Sequence, residues 1–113
     1  MSRDYKVYLQ DVLEAVQKVR QFTAGFTLHT FSQDAKTLDA VVRNLEIIGE
    51  AVKHLPEDIR SGYPGLDWKK IAGLRDILIH EYFGVNVEVI WDVVQHKLPE
   101  LEKAVRALSA TEG

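Results

Sequence analysis

A chain of 113 residues with 46% apolar residues, a net charge of −3 and no cysteine is the size of one domain with a single core. The missing cysteines exclude disulfides, thiolate metal sites and cysteine nucleophiles, and the negative balance excludes a non-specific nucleic-acid coat, which needs a basic field. The opening Met1-Ser2-Arg3-Asp4-Tyr5-Lys6 is no apolar leader, and no run of about 18 apolar residues occurs. The expectation is one domain over residues 1–113, soluble and cytoplasmic, without membrane contact, and frayed over its last four residues.

The apolar spacing is helical throughout and nowhere alternates as a strand would. It predicts a first helix over residues 4–22 with Leu9, Val12, Leu13, Val16 and Val19 buried, broken by Gly25 and the Thr-rich stretch to Phe31. Ser32 or Asp34 caps a second helix that reaches Leu55, with Leu38, Val41, Val42, Leu45, Ile48 and Val52 inward. Gly49 lies in that stripe and would admit a close neighbour. Pro56 ends the helix, and Ser61-Gly62-Tyr63-Pro64-Gly65 makes the connecting turn. Asp67 caps a third helix carrying Arg75-Asp76-Ile77-Leu78-Ile79-His80-Glu81-Tyr82, with Gly84 as its stop. Asn86 caps a fourth, with Val89, Ile90, Val93 and Val94 inward, and Pro99 either kinks it or begins a fifth that ends near Leu108. The expected fold is all-α, an antiparallel bundle of four long helices plus a short fifth.

Chemistry concentrates between Arg75 and Tyr82. On a wheel of about 100° per residue, Trp68, Ile71, Leu74, Leu78 and Tyr82 surround Arg75 on the apolar face. An arginine among such neighbours costs several kcal/mol unless its charge is answered. His80 lies about 140° away on the same wheel, four residues after Asp76, whose carboxylate can orient the imidazole. Arg75 and His80 therefore share a site only if the helix loosens near Gly84 or a second protomer completes the cleft. Ile47 and Ile77 stand on otherwise polar faces; they are either ordinary exposed isoleucines or a dimer seam.

These residues resemble the HEPN domains (higher eukaryotes and prokaryotes nucleotide-binding), and within them the HepT-like toxins. The family's ribonucleases carry Arg, a polar residue and then His after four to six intervening positions; Arg75, Asp76 and His80 fit with four, and the branch's tyrosine two after the histidine is matched by Tyr82. The run Arg43-Asn44-Leu45-Glu46-Ile47-Ile48-Gly49-Glu50-Ala51 and Trp68 are also similar to that branch, so the likeness covers nearly the whole chain. Asp76 departs from the family, where Asn is common, and adds a charge near the phosphate. The resemblance implies a metal-independent RNA endonuclease working as a homodimer, with Arg75 and His80 of both protomers lining one cleft. It also implies a partner, a small nucleotidyltransferase antitoxin that transfers AMP to Tyr82 and silences the toxin.

RNA is cleavable without metal through its own 2′-hydroxyl, given a base, an acid and a cation for the phosphorane. His80 suits either proton step and Arg75 the bidentate phosphate clamp. By residue type alone, a solvated helix-end histidine accounts for His80, a structural ion pair with Glu50 or Glu81 for Arg75, and a core tyrosine for Tyr82; the joint pattern and the resemblance favour function. Arg43 and Glu50 are supporting candidates that a solvated salt-bridge face explains equally well. His29, His54 and His96 are scattered and carry no pattern. No Glu-x-x-His or His-x-x-x-His spacing and no phosphate-cradling glycine loop is present, so neither metal nor cofactor is expected. The alternative is a non-catalytic HEPN module that binds nucleotide or the nucleotidyltransferase and only presents Tyr82; a plain helical interaction domain is the third reading.

Overall fold

The computed structural model describes residues 4–74, 78 and 86–112. Of the motif run, only Leu78 is among them; Arg75, Asp76, His80 and Tyr82 lie outside the described residues, as do Ile77 and Gly84. Every described element is helical. In chain order they are α1 (Tyr5–Thr23), α2 (Leu28–Ser32), α3 (Ala35–Lys53), α4 (Glu57–Arg60), α5 (Trp68–Ala72), α6 (Val87–Asp92), a π-helical turn (Val93–Lys97) and α7 (Leu98–Glu112).

Short polar side chains set the starts. Asp4 accepts from the backbone N–H of Lys6 (3.0 Å), Asp34 from Thr37 (3.0 Å), Asp67 from Lys70 (3.1 Å) and Asn86 from Glu88 (2.9 Å). Each satisfies an amide that the first helical turn leaves without a partner. Asp34, not Ser32, caps α3. Gly25 closes α1 with φ +81°, a left-handed conformation that costs a side chain about 1–2 kcal/mol.

Two expectations fail on local chemistry. The Thr-rich stretch is not simply a break: Thr27 and Thr30 form a reciprocal capping box that starts α2 and buries Phe31 completely. Of the two alternatives expected at Pro99, the start of a separate fifth helix is not what forms. Helix continues from Val87 to Glu112 through the π turn, in which the Leu98 N–H donates to Val93 O, five residues back. Proline lacks an N–H and its ring crowds the preceding turn, and a wider turn relieves both. The turn also suits the spacing of the buried residues Ile90, Val94 and Leu98. Successive steps of four drift by about 40° each on an ideal helix, and the wider turn takes up that drift. The all-α expectation holds, and the count of four long helices plus a short fifth is not confirmed: the described residues hold two 19-residue helices and the helical run from Val87 to Glu112 with short helices between, and the expected third helix lies largely outside them.

The two longest helices, α1 and α3, pack along each other; α3 also carries α5, and α1 carries α7. Leu9, Val12, Val16 and Val19 from α1 join Val41, Leu45, Ile48 and Val52 from α3 in one buried cluster with Leu101 and Val105. Burying each such side chain stabilises by about 1.5–3 kcal/mol, so the predicted stripes are the core. Val89 is the exception: it is 55% exposed. Three buried polar groups that the pattern did not mark are satisfied locally, Thr23 by donation to Val19 O (2.9 Å), Asn44 by donation to Ala40 O (2.9 Å) and the Trp68 indole by donation to Tyr63 O (2.9 Å).

A charged staple ties α1 to α7. Arg20 donates to Glu102, and Arg106 donates to the same carboxylate through Nη2 (2.9 Å) and Nε (3.1 Å). The Glu102 side chain is only 13% exposed. The Arg20 hydrogen bond, with Arg106 adding to it, holds its carboxyl below the usual glutamate value against the opposing effect of burial.

Candidate functional site

The pairing of α1 with α3 leaves a polar cleft of about 370 Å³ between them, lined by Tyr8, Asp11, Arg43, Glu46, Ile47, Glu50 and Ala51. Its lining is helical arithmetic: Arg43, Glu46, Ile47, Glu50 and Ala51 follow one another at steps of three, one, three and one, the stripe of α3 beside its core face. Tyr8 and Asp11 are three apart on α1 and face them. Arg43 and Glu50, picked out in the sequence, are therefore brought to one cleft. Ile47, read there as a lone isoleucine on a polar face, is half-buried and packs against the core from the cleft wall.

Among the described residues, three carboxylates and one guanidinium line this cleft. Arg43 is open to solvent and reaches Glu46 at 4.0 Å, a pair that contributes little to stability. Glu50 is held differently. His54 Nε2 lies 3.2 Å from its Oε1, and since an ionised carboxylate only accepts, the imidazole donates. The other oxygen, Oε2, is shielded from solvent. The His54 ring is stacked on Tyr8, centroids 5.1 Å apart and planes 14° from parallel. Tyr8 from α1 and His54 from the end of α3 thus meet at the cleft's edge with Glu50 beside them.

Sequence reasoning set His54 aside as scattered. The local signal was its spacing of four from Glu50; the stack on Tyr8, contributed across forty-odd residues of chain, was not readable. His96 bonds Asp92 (2.9 Å) in the same i,i+4 manner but on an exposed helix face, and His29 is exposed.

A second, larger hollow of about 580 Å³ runs between α5 and α6 and is mainly apolar, with Ile71, Leu74, Leu78, Val89, Ile90 and Val93 in its walls. It explains why Val89, expected inward, is exposed: its side chain faces this groove and not the core. Among the described residues no group of three or more His, Asp or Glu is placed to hold a metal ion, and no helix is long and apolar enough to cross a membrane.

A helical domain with an ionisable cleft between its two main helices defines a class of architecture and not an activity. Comparison with known proteins is more specific. The profile of the ribonuclease HepT-like family matches residues 12–108, and the chain belongs to that family. A Methanocaldococcus jannaschii protein bearing an RNase name, MJ0127, is 47% identical over 109 residues, covering 93% of this chain and 90% of its own. A Thermococcus cleftensis protein named "Probable ribonuclease HepT" is 44% identical over 90% of this chain and 93% of its own. The "mRNA nuclease HepT" of Shewanella oneidensis is 28% identical over 71% of this chain and 78% of its own. No solved structure matches the chain.

Proposed function

We propose that this protein is a metal-independent RNA endonuclease, the toxin of a toxin–antitoxin pair, acting in the cytoplasm as a homodimer. The observation that carries the reading is the family match over residues 12–108 together with Arg75, Asp76, His80 and Tyr82 standing at the spacing of the family's motif. A relative named as an mRNA nuclease supports RNA as the substrate class.

In this mechanism His80 of one protomer takes the proton from the ribose 2′-hydroxyl. The 2′-oxygen attacks the adjacent phosphorus, the bond to the 5′-oxygen breaks, and the partner subunit's His80 protonates that leaving oxygen. The products are a 2′,3′-cyclic phosphate and a free 5′-hydroxyl. Arg75 clamps the phosphoryl oxygens as charge builds on the phosphorane, and Asp76 orients the imidazole. Glu50 and Arg43 act in support from the α3 side of the cleft, Glu50 as a supporting carboxylate and Arg43 as an exposed cation for the approaching strand.

Silencing is the work of a nucleotidyltransferase antitoxin. The Tyr82 hydroxyl attacks the α-phosphorus of ATP, loses its proton and releases pyrophosphate, leaving AMP on the tyrosine. The new phosphodiester anion occupies the Arg75 clamp and the nucleoside obstructs the cleft.

Incubation with RNA in EDTA tests the reading. The protein cleaves, and His80→Ala loses about 10² to 10³ in rate, the usual effect of removing one transition-state donor. Cleavage undiminished in His80→Ala removes the assignment.

A further inference from the structure

Beside the cleft stands a residue to which neither the motif nor the family resemblance assigns a role. We propose that His54 is a positioning residue for the nuclease, acting through Glu50 and held in place by Tyr8. The inference rests on the ribonuclease reading above and adds to it the device that fixes the supporting carboxylate.

Three observations meet at this point. His54 Nε2 donates to Glu50 Oε1 at 3.2 Å. The Glu50 Oε2 is shielded from solvent although the side chain as a whole is 46% exposed, so the carboxylate is turned with one oxygen inward and the other on the imidazole. The imidazole itself is not free to swing, because Tyr8 stacks on it at 5.1 Å with planes 14° apart. A glutamate has three rotatable torsions and an exposed one samples many rotamers; a donor fixed by an aromatic stack selects one.

The geometry argues against a merely stabilising pair. An i,i+4 His–Glu contact with both side chains about half exposed contributes little to folding, and a helix end that needed only capping would be served by any polar residue. The ring is instead stacked on Tyr8 of α1, a residue that lines the cleft. Asp11 on α1 and Glu46 on α3 are the other cleft carboxylates, and His54 bonds neither. Among the described residues, its hydrogen bond goes to Glu50 alone.

The test is a double-mutant cycle on cleavage of a short RNA oligonucleotide, with steady-state kinetics and circular dichroism on each variant. His54→Phe keeps a ring to stack on Tyr8 and removes the donor; His54→Gln keeps an amide donor near the Nε2 position and removes the ring. His54→Phe should lower kcat by about tenfold with KM within about twofold, the pattern of an interaction made in the transition state. His54→Gln should recover only part of that loss, because it restores a donor without the ring that Tyr8 holds. In a Glu50→Gln background His54→Phe should have almost no further effect, because a residue acting through another shows strong non-additivity. If His54→Phe melts prematurely, His54→Leu takes its place in the cycle. A parental kcat in the His54 variant, a Glu50→Gln variant of full activity, or losses that multiply across the cycle would each overturn the proposal. His80→Ala is run alongside: an inactive His80→Ala beside a fully active His54→Phe removes this inference only, whereas an active His80→Ala removes the ribonuclease-site reading beneath it.

Discussion

Replacing Glu102 by Gln should weaken the junction of α1 with α7 in a way that depends on pH with a definite sign. The carboxylate is 13% exposed and takes hydrogen bonds from Arg20 and Arg106, whose side chains are 58% and 56% exposed. The exposed arginines limit each pair to about 1 kcal/mol or less. Both stay solvated when Glu102 is neutralised, so no buried charge is orphaned. Together the two pairs predict a loss of about 1–2 kcal/mol at neutral pH, a fall in melting temperature of roughly 4–8 °C for a domain of this size. The Arg20 hydrogen bond first, and Arg106 with it, lower the folded carboxyl below its usual value of 4.5, while Arg20, raised by its hydrogen bond to Glu102, stays charged throughout. The unfolded chain titrates at the ordinary value. The stabilisation is therefore complete above about pH 4.5 and disappears as pH falls through the lower folded value. Glu102→Gln has nothing to titrate there, so the gap between parent and variant should close in acid. Thermal melts followed by circular dichroism at about pH 7 and about pH 2.5 measure it. A gap of under about 1 °C at neutral pH, or one that persists undiminished in acid, refutes the staple as a source of stability.

Two further predictions concern regulation and assembly. Tyr82→Phe should keep much of the nuclease activity and escape modification; mass spectrometry after incubation with the cognate nucleotidyltransferase and ATP reads it, and adenylyl groups on Tyr5, Tyr8 or Tyr63 with Tyr82 bare would be the contrary result. Ile77→Glu should dissociate the dimer and abolish cleavage together, since a charge placed in an isologous seam is met by its own copy; sedimentation of the parent protein as a monomer at micromolar concentration would contradict the seam.

Much of the helical frame was legible because burial along α1 and α3 follows the 3.6-residue period without interruption, and because Asp4, Asp34, Asp67 and Asn86 sit one residue before their helices. Legibility failed where a local hydrogen bond or a steric conflict overrode the pattern. Thr27 and Thr30 read as loop residues one at a time and start a helix as a pair. Pro99 reads as a breaker, yet a single wide turn upstream accommodates it. Val89 reads as core because its neighbours are, while its own direction is into a groove. The cleft was half legible. Arg43 and Glu50 lie on one stripe of one helix, and His54 follows Glu50 by four, so spacing groups them, but Tyr8 joins them only through the packing of α1 on α3, which periodicity does not specify.

The π turn has a mechanical consequence. Because it carries the chain past Pro99 without a break, Val87 to Glu112 is one continuous helical rod. At 1.5 Å per residue it runs roughly 39 Å, close to the molecule's longest extent of 41 Å. The segment that bears His80 and Tyr82 is thus followed, from Asn86 on, not by a slack loop but by the tip of a lever. Its wall of the apolar groove lies at one end, and its fulcrum against α1 is where Glu102 meets Arg20. A partner that pushes α6 aside has to tilt that rod or deform the π turn, the one place where its hydrogen-bond ladder is already out of step.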